Sequence, residues 1–193
     1  FFFNTLYAIQ SFVLSNKALE SSKYLSKFAA LMRAVLELND QEFISIEREI
    51  QVVKDYLNLE KLRFEEKFKF QINCPEALLP ASIPTMILQP FVENAIVHGF
   101  RDYNEGGLLE VNFTELSEKE ILIEIKDNGK GYKPNNSDKS SKKSMALDLV
   151  GKRLRILSEE KGKAFHFKIL NRKELEANSG TIVQLLIPRN SAD

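Results

Sequence analysis

Apolar residues recur at steps of three and four through the first third of the chain, the spacing of helices that pack on one another. Leu6, Ile9 and Val13 share one face, and the polar run Ser15-Asn16-Lys17 interrupts it. Leu25, Phe28, Met32 and Val35 form a seam suited to helix–helix packing that stops at Asn39-Asp40. A third helix is expected after Ser45, a side chain able to cap its start, with Glu47 and Glu49 in the first turn where the helix dipole favours acids. Ile46, Ile50, Val53 and Leu57 repeat the seam, and the helix should run to about Phe64. These seams can be covered by one another or by a second copy of the chain, and spacing alone leaves both open.

From Phe68 the period changes to two. Phe68, Phe70 and Ile72 predict a strand ending at Pro75, and Pro80 and Pro84 punctuate the approach to a helix over 85–98 with Gly99 as its C-cap. Strands over 108–115 and 120–127, joined by the polar turn Leu116-Ser117-Glu118-Lys119, predict a hairpin. Residues 128–144 hold Gly, Pro, Asn, Ser and Lys with almost nothing apolar, a long loop of the kind that is functional in a compact domain. A helix over 146–160 and strands over 164–170 and 181–187 complete an α+β pattern whose antiparallel pairs argue against a doubly wound parallel sheet. The expected domains are a helical region over 1–66 and a mixed α/β domain over 67–190.

Charge narrows the functions little. Lys+Arg and Asp+Glu both total 27, which gives no support to direct nucleic-acid binding. The single cysteine, Cys74, forms no internal disulfide and no multi-cysteine metal site. No run approaches the roughly 20 apolar residues that span a bilayer. The chain begins without Met, which suggests a fragment whose parent could be membrane-bound.

Two segments carry candidate chemistry. In Asp127-Asn128-Gly129-Lys130-Gly131, a carboxylate ends a strand beside backbone that a ligand can approach closely, because the glycines carry no Cβ. A carboxylate suits an amino donor such as the exocyclic amine of adenine, although an isolated Asp-Asn-Gly is most simply a turn. In Gln89-Pro90-Phe91-Val92-Glu93-Asn94-Ala95-Ile96-Val97-His98-Gly99, Phe91 and Ile96 can face a sheet while Glu93, Asn94 and His98 present polar groups. Asn94 and His98 share a helix face, and the Asn oxygen suits Mg2+, an ion held in nucleotide sites by few protein groups plus phosphates and water. Taken alone, this stretch is more simply read as a solvated helix face.

Together the segments are far more specific. QPFVENAIVHG, DNGKG, a polar loop and Gly180-Thr181-Ile182-Val183 resemble the ATP-binding domain of the GHKL ATPase superfamily. FFFNTLYAIQSFV followed by SIEREIQVVKDYLNLEKLRFEEKF is similar to the LytS-type sensor histidine kinases. The resemblance implies a Bergerat-type two-layer α/β sandwich with a mixed sheet, preceded by dimerisation helices. It implies a phosphoacceptor histidine immediately before the position of Phe1, so that this chain alone would not autophosphorylate. His98 and His166 do not match the acceptor, and His166 reads as structural.

In the same family Asn94 would hold Mg2+, Asp127 would bind the adenine amine, Gly129 and Gly131 would shape the pocket, and Thr181 would support Asp127. The loop 128–144 would close as a lid over ATP, Glu93 would orient or deprotonate the attacking histidine, and His98 would lie near phosphate. The implied partners are a second copy of the chain and a response regulator, and the implied setting is the cytoplasmic part of a bacterial membrane sensor. Departures from the pattern stand at Val97, where relatives often carry Lys, and at Ser144 and Ala146, where they carry Gly. Lys142, Lys143, Lys152 and Arg153 are candidates to supply positive charge instead. The departures keep open a degenerate kinase that only binds nucleotide, and the domain alone would also fit another GHKL-type ATPase.

Overall fold

The computed structural model describes Gln10, Leu14 and residues 18–64, 67–100, 106–131, 142–173 and 179–189, without the side chains of His98 and 142–146. The expected helix around Leu6, Ile9 and Val13 lies outside the described residues, as does the loop between 132 and 141. Two long helices come first, α1 (Ala18–Leu38) and α2 (Ile46–Arg63), joined through the short strand β1 (Phe43–Ser45). Ser45 caps α2 as its position suggested, accepting the Arg48 N–H at 3.2 Å.

The seam expected on α1 divides in two. Tyr24, Leu31 and Leu38 are buried, with Phe28 and Val35 packed partly against the core. Leu25 is 51% exposed, and with Ser22, Ala29, Met32 and Leu36 it marks a second stripe at alternating steps of three and four.

Strands β2 (Phe68–Asn73), β4 (Gly107–Ser117), β5 (Glu120–Asp127), β7 (Thr181–Pro188) and β6 (His166–Asn171) form one sheet in the order β2-β4-β5-β7-β6. Among the described residues only the β2–β4 pair is parallel. Register aligns Val111 with Ile125 and Ile125 with Val183, so one face of β4, β5 and β7 is apolar and covered. That face packs under helices α3 (Gln89–Asn94) and α4 (Lys142–Lys161), giving two layers. Each fully buried Ile or Leu there contributes about 1.5–3 kcal/mol of transfer free energy. The Phe91 and Phe167 rings meet edge to face at 5.1 Å, clipping α3 to the sheet edge.

The helix expected over 85–98 forms only from Gln89. A short strand β3 (Ser82–Pro84) pairs antiparallel with β1 and occupies the approach, and Met86 then turns into the left-handed region at φ 57°. After Asn94 the helix widens into a π turn over Ala95–Gly99, in which the Phe100 N–H reaches back five residues to the Ala95 carbonyl. Gly99 is therefore no left-handed C-cap. Helix α4 begins at Lys142, four residues before the expected start.

Candidate nucleotide-binding cleft

Alternation along β5 puts Ile121, Ile123, Ile125 and Asp127 on the same covered face, so a carboxylate sits where an aliphatic side chain would be expected. Asp127 is 6% exposed. Its Oδ1 accepts the Gly129 N–H at 2.9 Å and the Thr181 N–H at 3.2 Å, and the Thr181 hydroxyl also donates to the carboxylate. Burial pushes the carboxyl above its usual range, while these donors and the charge of Arg172 pull the other way. A carboxylate offers about four acceptor positions, so three donors leave room for one more.

Glycines set the walls. A Cβ at Gly129 would lie 2.7 Å from the Cα and carbonyl oxygen of Gly99, so strand end and π turn touch backbone to backbone. Gly180, at φ 130°, sits against the Asp127 carbonyl where any side chain would overlap it. Asn128, on the solvent side of the same turn, ties the start of β4: it accepts the Leu108 N–H at 2.7 Å and donates to the Gly106 carbonyl at 2.9 Å. The Ser179 hydroxyl donates to the Gly129 carbonyl at 2.6 Å.

These elements form a cleft lined by Phe91, Asn94, Gly99, Asp127, Gly131 and Thr181, with Leu147, Ile169 and Val183 among its apolar walls. Buried carboxylate and apolar walls suit a flat heterocycle carrying an amino group. Asn94 shares the cleft with Asp127. Among the described residues no three His, Cys, Asp or Glu side chains gather into a metal cage. A divalent ion held mainly by ligand phosphates and water needs no such cage, and one amide oxygen fits it.

The other candidates fall unevenly. Glu93 is half-buried beside Asn94, and its charge helps raise the carboxyl of Glu60, a fully buried residue of α2. His98 lies in the π turn, but its side chain is outside the described residues, as are those of Lys142 and Lys143 in the first turn of α4. Arg153 is committed elsewhere: Nη1 donates to the Thr85 carbonyl at 2.5 Å. His166 is exposed on the edge strand β6.

Sequence reasoning missed a second buried carboxylate. Glu49 was expected only as a favourable acid near a helix start. It is 1% exposed, and accepts the Met86 N–H at 2.8 Å on Oε2 and the Leu88 N–H at 2.9 Å on Oε1. Burial lifts its carboxyl to about 7 against the pull of those amides and of Arg153. The left-handed Met86 it serves costs about 1–2 kcal/mol relative to ordinary backbone. Strict i, i+4 reading of α2 shows Glu49 beside the apolar Ile46, Ile50 and Val53, which was the one available signal.

A mixed five-stranded sheet under two helices is the fold of histidine kinase catalytic domains. The chain superposes on the histidine kinase ThkA in its complex with the response regulator protein TrrA, at a TM-score of 0.53 and 15% identity, over 97% of this chain and 58% of that one. The profile of the histidine kinase family matches residues 1–68. Over 97% of its length the chain is 27% identical to the sensor protein LytS of Oceanobacillus iheyensis, and over 78% it is 30% identical to the sensor histidine kinase YpdA of Escherichia coli K12. It is homologous to sensor histidine kinases of the LytS type. The chain spans 32% and 26% of the lengths of these two relatives.

Proposed function

We propose that the chain is the ATP-binding catalytic core of a two-component sensor histidine kinase. The observation that carries this reading is the buried, amide-fixed carboxylate of Asp127 facing a glycine-walled cleft that also holds Asn94. Asp127 accepts the adenine amine, Thr181 fixes that carboxylate, and Gly129 and Gly131 let the backbone lie close to the nucleotide. Asn94 holds Mg2+, and His98, Lys142 and Lys143 serve the phosphates. ATP with Mg2+, when bound, supplies the γ-phosphoryl group and neutralises the charge that develops on transfer.

The protein's part is positioning and charge compensation. A histidine imidazole upstream of Phe1 attacks the γ-phosphorus; a P–N bond forms, the bond to the β-phosphate oxygen breaks, and Glu93 orients the imidazole or takes its proton. The phosphoryl group then passes to an aspartate of a response regulator. Residues 1–66 act as the dimerisation region and 67–190 as the catalytic domain, with the segment between β5 and α4 as the lid, shorter than the 128–144 expected because α4 already begins at Lys142. The stripe of exposed Ser22, Leu25, Ala29 and Leu36 with half-buried Met32 favours a second copy as the occupant of that face. Among the described residues no helix is long and apolar enough to cross a membrane. The reading places this part on the cytoplasmic side of a membrane sensor.

The test lengthens the chain upstream with its native residues and follows transfer of label from γ-32P-ATP. Acid-labile, base-stable label on a protein sedimenting at twice the chain mass is the expected result. ATP binding without histidine labelling would reduce the chain to a nucleotide-binding regulatory module. Steady phosphate release from the present chain, with no acceptor, would favour another branch of GHKL-type ATPases.

A further inference from the structure

We propose that Glu49 is a positioning residue for the nucleotide cleft, its carboxylate holding the left-handed Met86 turn and so setting the direction in which α3 carries Asn94. The inference rests on the nucleotide reading of the cleft. The two carboxylate oxygens divide the work, Oε2 taking the Met86 N–H at 2.8 Å and Oε1 the Leu88 N–H at 2.9 Å. Leu88 precedes the first residue of α3 and offers no capping side chain. A carboxylate from another helix thus takes the place that a Ser or Asp N-cap fills elsewhere, and its negative charge lies where the α3 dipole favours it.

The turn is clamped on its other side as well. Thr85 donates its N–H to the Glu42 carbonyl at 3.0 Å and its hydroxyl to the Gln41 carbonyl at 2.5 Å, and its own carbonyl accepts Arg153 Nη1 at 2.5 Å. Met86 is the only non-glycine with positive φ among the described residues. Strain of this kind persists where the surroundings over-determine the backbone, and it gathers at functional segments. Arg153 lies on α4, and Lys161 of the same helix pairs with Glu42 at 2.8 Å. One turn therefore joins the helical hairpin, the Asn94 helix and α4. The Asp127 side of the cleft, built from β5 and β7, does not depend on it.

The test is a calorimetric titration of the chain with Mg·ATP and, separately, with adenosine. In Glu49→Gln an NH2 group faces a backbone N–H donor, and Mg·ATP affinity should fall about tenfold, the scale of one charge-assisted hydrogen bond. Adenosine affinity should change less than about twofold, because it engages only the Asp127 end. Glycine adopts the left-handed turn without steric cost, so adding Met86→Gly to Glu49→Gln should recover most of the lost Mg·ATP affinity. Met86→Val, which keeps the buried carboxylate but opposes positive φ, should reproduce the split between the two ligands in a chain with an intact core. Equal losses for both ligands, an unchanged Mg·ATP affinity, or no recovery in the double variant would each overturn the inference while leaving the nucleotide reading in place. A wild-type chain that binds neither ligand overturns both together.

Discussion

The two ends of the cleft are built by different means. At the Asp127 end every partner comes from neighbouring strand termini: Gly129 lies two residues along, and Thr181 starts the adjacent strand β7. Sheet register alone brings these groups together. At the Asn94 end, a six-residue helix is launched from a strained turn, widened by a π turn, and steadied by side chains from α2 and α4. The contrast separates affinity from alignment. On the proposed nucleotide reading, the Asp127 end would recognise the base without outside help, whereas the end that would meet metal and phosphates takes its orientation from helices outside the sheet.

Substitutions at the Asp127 end should have the largest effects. In Asp127→Asn the acceptor for an amine becomes a donor, while Oδ1 can still take the Gly129 and Thr181 amides. ATP binding should fall at least about a hundredfold, with urea unfolding close to wild type. Wild-type-like affinity by calorimetry would mean that the base binds elsewhere. Next comes Gly129→Ala, whose new methyl meets Gly99 backbone at 2.7 Å. Overpacking of this kind should cost about 1–3 kcal/mol, read from the urea midpoint, and should weaken binding because strand end and π turn must part.

The smallest effect concerns pH and the Asn94 end. Burial lifts the Glu60 carboxyl to about 7, with Glu93 adding to the rise and Arg63, paired at 2.8 Å, opposing it. The folded state thus holds this proton more tightly than the unfolded chain does. The associated stability is fully present below about pH 4.5 and is lost as pH rises through about 7. Thermal unfolding should therefore show Tm declining from pH 5 to pH 8, less steeply in Glu60→Gln. An identical slope in the variant would assign the dependence to other groups.

What could be read from the sequence follows the same division. Period-two alternation gave β4, β5 and β7 nearly to the residue, and with them the position of Asp127 at a strand end. Ser45 announced the start of α2 because capping is decided within one turn. The family resemblance supplied the roles expected of Asn94, Asp127 and Thr181, and the structure adds their proximity in one cleft. Glu49 stayed hidden because its partners, Met86 and Leu88, lie 37 and 39 residues away and are backbone amides that any residue could supply. The early break at Met86 stayed hidden for a related reason. Local propensity favours helix from Thr85, and only pairing of β3 with β1 overrides it. The α1 seam read as continuous because spacing counts apolar residues without telling which of two neighbouring stripes is covered.

The contact between Gly99 and Gly129 has a consequence for how this cleft can vary. Most tight packings tolerate a larger residue on one side if a smaller one appears opposite. Here both sides already carry the smallest residue, and what meets is main chain against main chain. No second-site change of side chain can open the gap. A bulkier residue at Gly129 has to move a whole helix or strand, whereas a Cβ at Gly99 would meet nothing nearer than the Asp127 carboxylate at 3.4 Å, so the freedom to vary across this contact is one-sided.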